Sequence, residues 1–264
     1  TDPGLLDTHT ATWAWGDGTT SAGVVSAASG AGTVAGSHSY TAPGIYTVLL
    51  TVTDKDGGSA QATLQNVVVY DPDGAFVIGG GWLSSPAGAW LPDPAAKGKA
   101  VFGFVSKYKK NAQAPAGETL FLFSAGRMHF QSSGYAWLVV TGSRAQYTGA
   151  GRINGMGDYG FTLTAIDGNL PGGDGKDRLR MKIWDRANDN AVVYDNQLGA
   201  GDDATPATEV RGGAVVILPG KHGHVGASGE EVDPMELMPD LTPFLSPEEA
   251  AEEAAQLPAP DWVD

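Results

Sequence analysis

Along most of the chain apolar and polar residues alternate singly, with a period of two rather than 3.6. The stretch IYTVLLTVTD, residues 45–54, places Tyr46, Val48, Leu50 and Val52 on one face and Thr47, Thr51 and Thr53 on the other, which predicts a strand with one buried face. Turn chemistry brackets it. Asp17-Gly18, Pro43-Gly44 and Asp56-Gly57 supply the positive φ and the preset φ that tight turns need. After a further strand, ATLQNVVVY (62–70), the sequence DPDG (71–74) reads as a joint between domains.

The same period then resumes with new strands. AVFGFVS (100–106), TLFLFSA (119–125), YAWLVV (135–140), YGFTLTAID (159–167), DRLRMKIWD (177–185), AVVYD (191–195) and GAVVIL (213–218) are separated by stretches rich in Gly, Asn and Asp. The fold class expected is therefore all-β: two consecutive β-sandwich domains, the first over 1–71 and a jelly-roll-like second over 72–219. Residues 220–264 differ in kind. A short helix is predicted over 246–257, with Ser246 as N-cap, Pro247 at the first helical position, Glu249 as capping-box partner and Pro258 as stop. So short a helix is marginal alone. Met235, Leu237, Met238, Leu241, Phe244 and Leu245 suggest that the tail docks, on its own domains or on a neighbour; a solvated acidic linker is the alternative.

Composition fits this picture and narrows the function. The chain has 38 Gly, 16 Pro and only 17% charged residues. It has no Cys, which excludes disulfides, thiolate metal sites and a cysteine nucleophile. No apolar run is long enough to predict a transmembrane segment. The net charge is −14, and most of it lies beyond residue 219, where eleven acidic residues face one lysine. Such a surface repels phosphate backbones, so nucleic acid is not an expected partner, whereas cations are. The start at Thr1, without Met or signal sequence, suggests a processed piece of a longer precursor.

The chemistry on offer is mostly carboxylate. Asp158, Asp167, Asn169, Asp174, Asp177, Asp185 and Asp195 flank or fill the turns of the last hairpins. The loop DGNLPGGDGKD (167–177) brings three Asp and an Asn together among glycines. Calcium takes six to eight hard oxygens from such loops, so Asp167, Asn169, Asp174, Asp177, Asp185 and Asp195 form the candidate calcium set. The same residues shape turns by bonding nearby amides, and a facing carboxylate pair serves acid–base catalysis, so both readings stay open. Trp82, Trp90, Tyr135 and Trp137 are candidates for a glycan-stacking face, with Lys107, Lys109 and Lys110 as a basic knot for an acidic sugar or a solubilised edge. His222 and His224 could weakly hold a transition metal but have no clear third ligand nearby and read as part of a solvated tail, and His38 and His129 read as framework. No Gly-x-Ser-x-Gly, His-Glu-x-x-His or P-loop pattern occurs.

Two resemblances add to this. WAWGDG (13–18) and HSYTAPGIYTVLLTVTDKDGGS (38–59) resemble the PKD domain, an immunoglobulin-like module of bacterial surface proteins and secreted hydrolases. In calcium-binding relatives an acid stands between the two aromatics. Here that position is Ala14, which weakens a site built on Asp17, Asp54 and Asp56. The family also starts with a strand ahead of TDPG. The open edge so implied would pair with a neighbouring copy. Residues 74–218, through GGGWLSSPAGAW (79–90), KAVFGFVSKYKK (99–110), GAGRINGMGDYGFTLTAIDG (149–168), DRLRMKIWD (177–185) and VVYDN (192–196), resemble the β-rich domain that often follows PKD repeats in large secreted bacterial proteins. The function expected is a non-catalytic, extracellular structural or adhesive module of a bacterial surface protein, fibre or matrix, stabilised by calcium. Its partners would be neighbouring copies or other surface proteins, reached through the open edge and the tail. The alternative is a carbohydrate-binding accessory unit of a secreted polysaccharide-degrading enzyme.

Overall fold

The computed structural model describes residues 8–28, 31–70, 76–109, 111–218 and 237–245. The chain divides into two compact units, Thr1–Tyr70 and Asp71–Asp264. The regular structure of the described residues is almost entirely strand.

The first unit contains β1 (His9–Ala14), β2 (Thr20–Ala22), β3 (Val24–Ala28), β4 (Ala31–Ala35), β5 (Gly44–Asp54) and β6 (Ser59–Val69). Four of them form one sheet in the order β2-β1-β5-β6, and β3 and β4 pair alone. The alternation expected in β5 is only partly realised, because a bulge between Tyr46 and Val48 shifts the register against β6 and Val48 alone is fully buried. The core is small, and aromatic stacking supplements it. Trp13 lies on Trp15 at 5.3 Å, Trp15 on His38 at 5.0 Å, His38 edge-on to Tyr40 at 4.7 Å and Tyr40 on Tyr46 at 4.2 Å. Hydroxyls fix the ladder: Tyr40 donates to the Trp15 carbonyl and Tyr46 to the Ala42 carbonyl, each at 2.9 Å. The outer edge of β6 meets no strand among the described residues, and Leu64 on it is 64% exposed.

The second unit contains β7 (Phe76–Ser85), β8 (Gly98–Tyr108), β9 (Pro115–Phe123), β10 (Met128–Thr141), β11 (Arg144–Ile153), β12 (Met156–Ile166), β13 (Arg178–Asp185), β14 (Ala191–Asp195) and β15 (Val210–Leu218). This is not the jelly roll expected from the sequence. All nine strands form one antiparallel sheet in the order β14-β13-β12-β11-β10-β9-β8-β7-β15, so β8 to β14 each pair with the strand before and β15 returns to β7. Short hairpins such as Asn154-Gly155, with φ of 52° and 73°, favour this meander over the long connections that a Greek key needs. The sheet curls strongly. Tyr194 of β14 and Phe121 of β9 are five strands apart, about 24 Å in a flat sheet, yet their rings lie 5.0 Å apart. The inner face is packed with Phe102, Phe104, Phe121, Phe123, Phe130, Tyr147 and Phe161, all fully buried.

Both ends of the sheet are closed. The β7–β8 connection runs along β14, with Leu91 N–H donating to the Val193 carbonyl at 3.0 Å and Asp195 N–H to the Ala89 carbonyl at 2.9 Å. The entry to β15 joins the start of β13, where Leu179 N–H donates to the Thr208 carbonyl and Val210 N–H to the Asp177 carbonyl. Where β15 meets β7 the backbones approach so closely that only glycine fits: Gly213 has φ of 88°, and a Cβ on it would lie 1.9 Å from the Gly80 carbonyl oxygen.

Residues 237–245 return as a strap over the outer face of β7, β8 and β9. Leu241 is buried there with Val101, Leu120 and Leu122, and Trp82, Met238, Phe244 and Leu245 pack around it. The docking expected of the tail is thus made within its own unit. The helix expected over 246–257, together with Met235, His222 and His224, lies outside the described residues.

Candidate functional site

The loop between β12 and β13 carries the candidate calcium set, and β15 explains its acids. A terminal strand leaves every second N–H facing away from its neighbour, and a buried N–H without an acceptor is costly. Asp167 accepts from Asn169 N–H at 3.0 Å through Oδ1 and from Ile217 N–H at 3.2 Å through Oδ2. Asp177 accepts from Gly168 N–H through Oδ1 and from Val215 N–H through Oδ2, both at 2.8 Å. Two carboxylates therefore stand where a further strand would place its carbonyls. They also bind their own loop, which joins that loop to β15.

The other members of the set lie elsewhere. Asp174 is exposed and grips Arg178 through both oxygens at 2.8 and 2.5 Å, and that pairing lowers its pKa. Asn169 is exposed, Asp185 accepts from Ala187 N–H at 2.9 Å in the following turn, and Asp158 pairs with Arg186 at 3.1 Å. Asp195 is buried against Arg180. Only Asp167 and Asp177 come together, and both oxygens of each already accept an amide hydrogen. Calcium takes six to eight oxygens around one point, and here the six residues of the set are spread over separate turns and pairs. Among the described residues no group of three or more His, Asp or Glu is placed to hold a metal.

A second polar cluster was not singled out in the sequence. Arg180 donates to Asp195 through Nε at 3.0 Å and Nη2 at 2.8 Å, to the Gly201 carbonyl at 2.6 Å and to the Ala200 carbonyl at 3.0 Å. The same loop offers its Asp202 carbonyl to Gln146 Nε2 and its Asp203 carbonyl to Arg144. Hydrogen bonds donated to Asp195 hold the Arg180 guanidinium above its usual pKa, and burial pushes that of Arg144 down. The signal was present: Arg178, Arg180 and Lys182 alternate with buried Leu179, Met181 and Ile183 along β13. With its donors spent on Asp195 and loop carbonyls, Arg180 anchors the 196–207 loop rather than offering an anion site.

The aromatic candidates do not form one glycan face. Trp82 lies under the strap, beside Leu241. Trp90 sits in the β7–β8 connection, bridged to Tyr194. Tyr135 points inward, 5.1 Å from the Tyr147 ring, and its hydroxyl lies 2.8 Å from Thr119 Oγ1 and donates to the Val105 carbonyl at 3.1 Å. Burial raises the phenol pKa of both Tyr135 and Tyr147. Trp137, half-buried, is on the outer face opposite Thr148. Lys107 and Lys109 are half-buried, and Lys110 lies outside the described residues.

In the first unit Asp17 caps its own turn. Its Oδ1 accepts from Thr19 N–H at 3.0 Å and Thr19 Oγ1 at 2.6 Å, and its Oδ2 meets His38 Nε2 at 2.7 Å. Asp54 caps the next hairpin, accepting from Asp56 N–H at 2.8 Å and Gly58 N–H at 2.9 Å. The Thr19 hydroxyl first, then His38, lower the pKa of Asp17 from 3.8 to about 2. A depressed carboxylate stabilises the fold above its unfolded pKa, and that contribution fades as pH falls through the folded value. The window here runs from about pH 4 down to about 2. Thr19→Val is expected to return the Asp17 titration, followed by carboxyl NMR shifts, further toward 3.8 than His38→Ala does. The reverse order would mean that His38 dominates the turn.

The fold and these clusters define an all-β protein of two units in which the conspicuous polar groups hold loops and edges in place. Residues 1–69 match the family described as PKD domain, a class of modules that is typically extracellular and, at the family level, structural or adhesive. Comparison of the chain with curated proteins and with solved structures returns no match. No helix among the described residues is long and apolar enough to cross a membrane.

Proposed function

We propose that the chain is a non-catalytic structural or adhesive module of a bacterial surface protein, fibre or matrix, and that it associates with neighbouring copies through the β6 edge of its first unit. The observation that carries this reading is the PKD match over residues 1–69. The contrast between the units supports it. The second unit closes both ends of its sheet with a connection and with carboxylates. The first leaves β6, eleven residues long, with an outer edge that has no partner strand among the described residues and with Leu64 exposed. β6 carries no charged residue, and although a bulge interrupts its pairing with β5, so long an uncharged edge is a template for strand addition. The acids that a catalytic reading would use accept from backbone amides and arginines, so their oxygens are engaged within the fold.

The test is sedimentation velocity from micromolar to millimolar concentration. The wild-type chain is expected to gain mass with concentration, and Leu64→Lys to weaken association at least several-fold by placing a charge in the new pair. A chain that stays monomeric throughout and hydrolyses a polysaccharide panel would overturn the reading.

A further inference from the structure

The strap is held in an unusual way. Among the described residues no backbone ladder ties it to the sheet; apart from a lysine bond to its Phe244 carbonyl, it is held by side chains in a trough whose floor is glycine. A Cβ on Gly80 would lie 2.8 Å from the Pro239 ring, and one on Gly103 would lie 2.8 Å from Leu241 Cδ2. These two glycines are cross-strand partners on β7 and β8, so their missing side chains make one continuous notch. Leu120 continues the glycine row on β9, Trp82, Val101 and Leu122 form the next row, and Lys99 Nζ donates to the Phe244 carbonyl. Within the strap Asp240 caps Thr242 N–H at 2.9 Å and a short 3₁₀ turn spans Thr242–Phe244, so its shape is largely its own. A seat matched to a self-shaped segment binds that segment whichever molecule supplies it.

The connection allows another molecule to supply it. β15 ends at Leu218, opposite Phe76, and Gly80 lies four residues farther along β7, about 13 Å away. Residues 219–236 join the two and can span up to about 60 Å when extended. The strap therefore has far more reach than its own seat requires. We infer that the glycine trough on β7, β8 and β9 is also a docking site for residues 237–245 of a second copy, so that copies held close together are coupled by exchanged straps. Exchange conserves every strap contact and changes only which molecule supplies it. Within one molecule the strap competes at an effective concentration on the order of millimolar. In dilute solution the chain is therefore self-strapped, and crowding of copies on a surface or in a fibre favours exchange.

The coupling is independent of the β6 edge, and its test silences that edge with Leu64→Lys in every protein. Leu241→Asp spoils the strap and leaves the trough free; Gly103→Leu fills the trough and leaves the strap free. Each alone is expected to sediment as a monomer, and an equimolar mixture to show a species of twice the mass. A labelled peptide of sequence LMPDLTPFL is expected to bind the Leu241→Asp protein at least tenfold more tightly than the Gly103→Leu protein. Should Leu241→Asp fail to fold, Phe244→Asp at a half-buried position replaces it. Peptide binding without pairing in the mixture would show that a tethered strap does not cross to a second copy, and neither signal would show no separable seat; either result overturns the inference.

Discussion

Asp195→Ala is expected to destabilise the second unit by about 3–5 kcal/mol, the usual cost of removing one partner from a buried ion pair. The side chains of Arg180 and Asp195 are 4% and 3% exposed, so the guanidinium left behind would have no water to replace the carboxylate. Asp195 Oδ1 also accepts from Gln197 N–H at 2.9 Å, so the same change releases the loop whose Ala200 and Gly201 carbonyls complete the Arg180 shell. Denaturant melts read on the second unit should show a lower midpoint with an unchanged slope. The double change Arg180→Met with Asp195→Leu is expected to recover most of the loss, because the expense lies in a stranded charge and not in the absence of the pair. If Asp195→Ala costs less than 1 kcal/mol, the loop must admit water and the cluster does not anchor it.

How much of this could be read beforehand depended on whether the signal was local. The PKD-like unit was legible because its turns and aromatics lie close in sequence: Asp17 bonds Thr19, Tyr46 bonds Ala42 and Asp54 bonds Gly58. The strands of the second unit were legible from their alternation, but their arrangement was not. Alternation fixes which side chains share a face and says nothing about whether the next sheet neighbour is the next strand, so a meander and a jelly roll look alike until pairing is seen. The roles of Asp167 and Asp177 were hidden for the same reason, since their partners Ile217 and Val215 lie 50 and 38 residues away. The four aromatics were candidates for a stacking face because their rings offer apolar faces to a sugar; sequence did not show that the strap covers Trp82 and that Tyr135 turns inward.

The glycine runs carry a lesson about absence. By themselves glycines such as GGG at 79–81 and GG at 212–213 weaken a strand. In the fold they serve two distinct needs. Gly213 permits the positive φ and close approach of the β7–β15 junction, while Gly80 and Gly103 leave room for Pro239 and Leu241. A missing side chain reports on a neighbour that must be found first.

Asp177→Ala is expected to cost about 2–4 kcal/mol, because it removes two hydrogen bonds with an ionised acceptor and leaves Val215 N–H, buried in the sheet edge, without an acceptor. Asp177→Asn should cost roughly half as much: its amide oxygen still accepts one N–H, while its own NH₂ must face the other. The pair of changes separates an edge cap from an ion ligand when each is melted in millimolar calcium and again in excess chelator. An edge cap predicts that the wild-type midpoint is the same in both buffers and that the losses from Asp177→Ala and Asp167→Ala are independent of calcium. An ion bound only to the folded chain would instead add about 2.7 kcal/mol at a hundredfold excess over its Kd, a rise of several degrees that either substitution would abolish. The cap reading carries a further consequence for solubility. With Asp177 gone, β15 presents a free amide at the rim of a nine-stranded sheet, and the variant should aggregate from partly unfolded states faster than Asp174→Ala, whose partner Arg178 remains in solvent contact. Equal aggregation rates for the two variants would mean that the connection through Thr208 and Val210 protects the edge without the carboxylates.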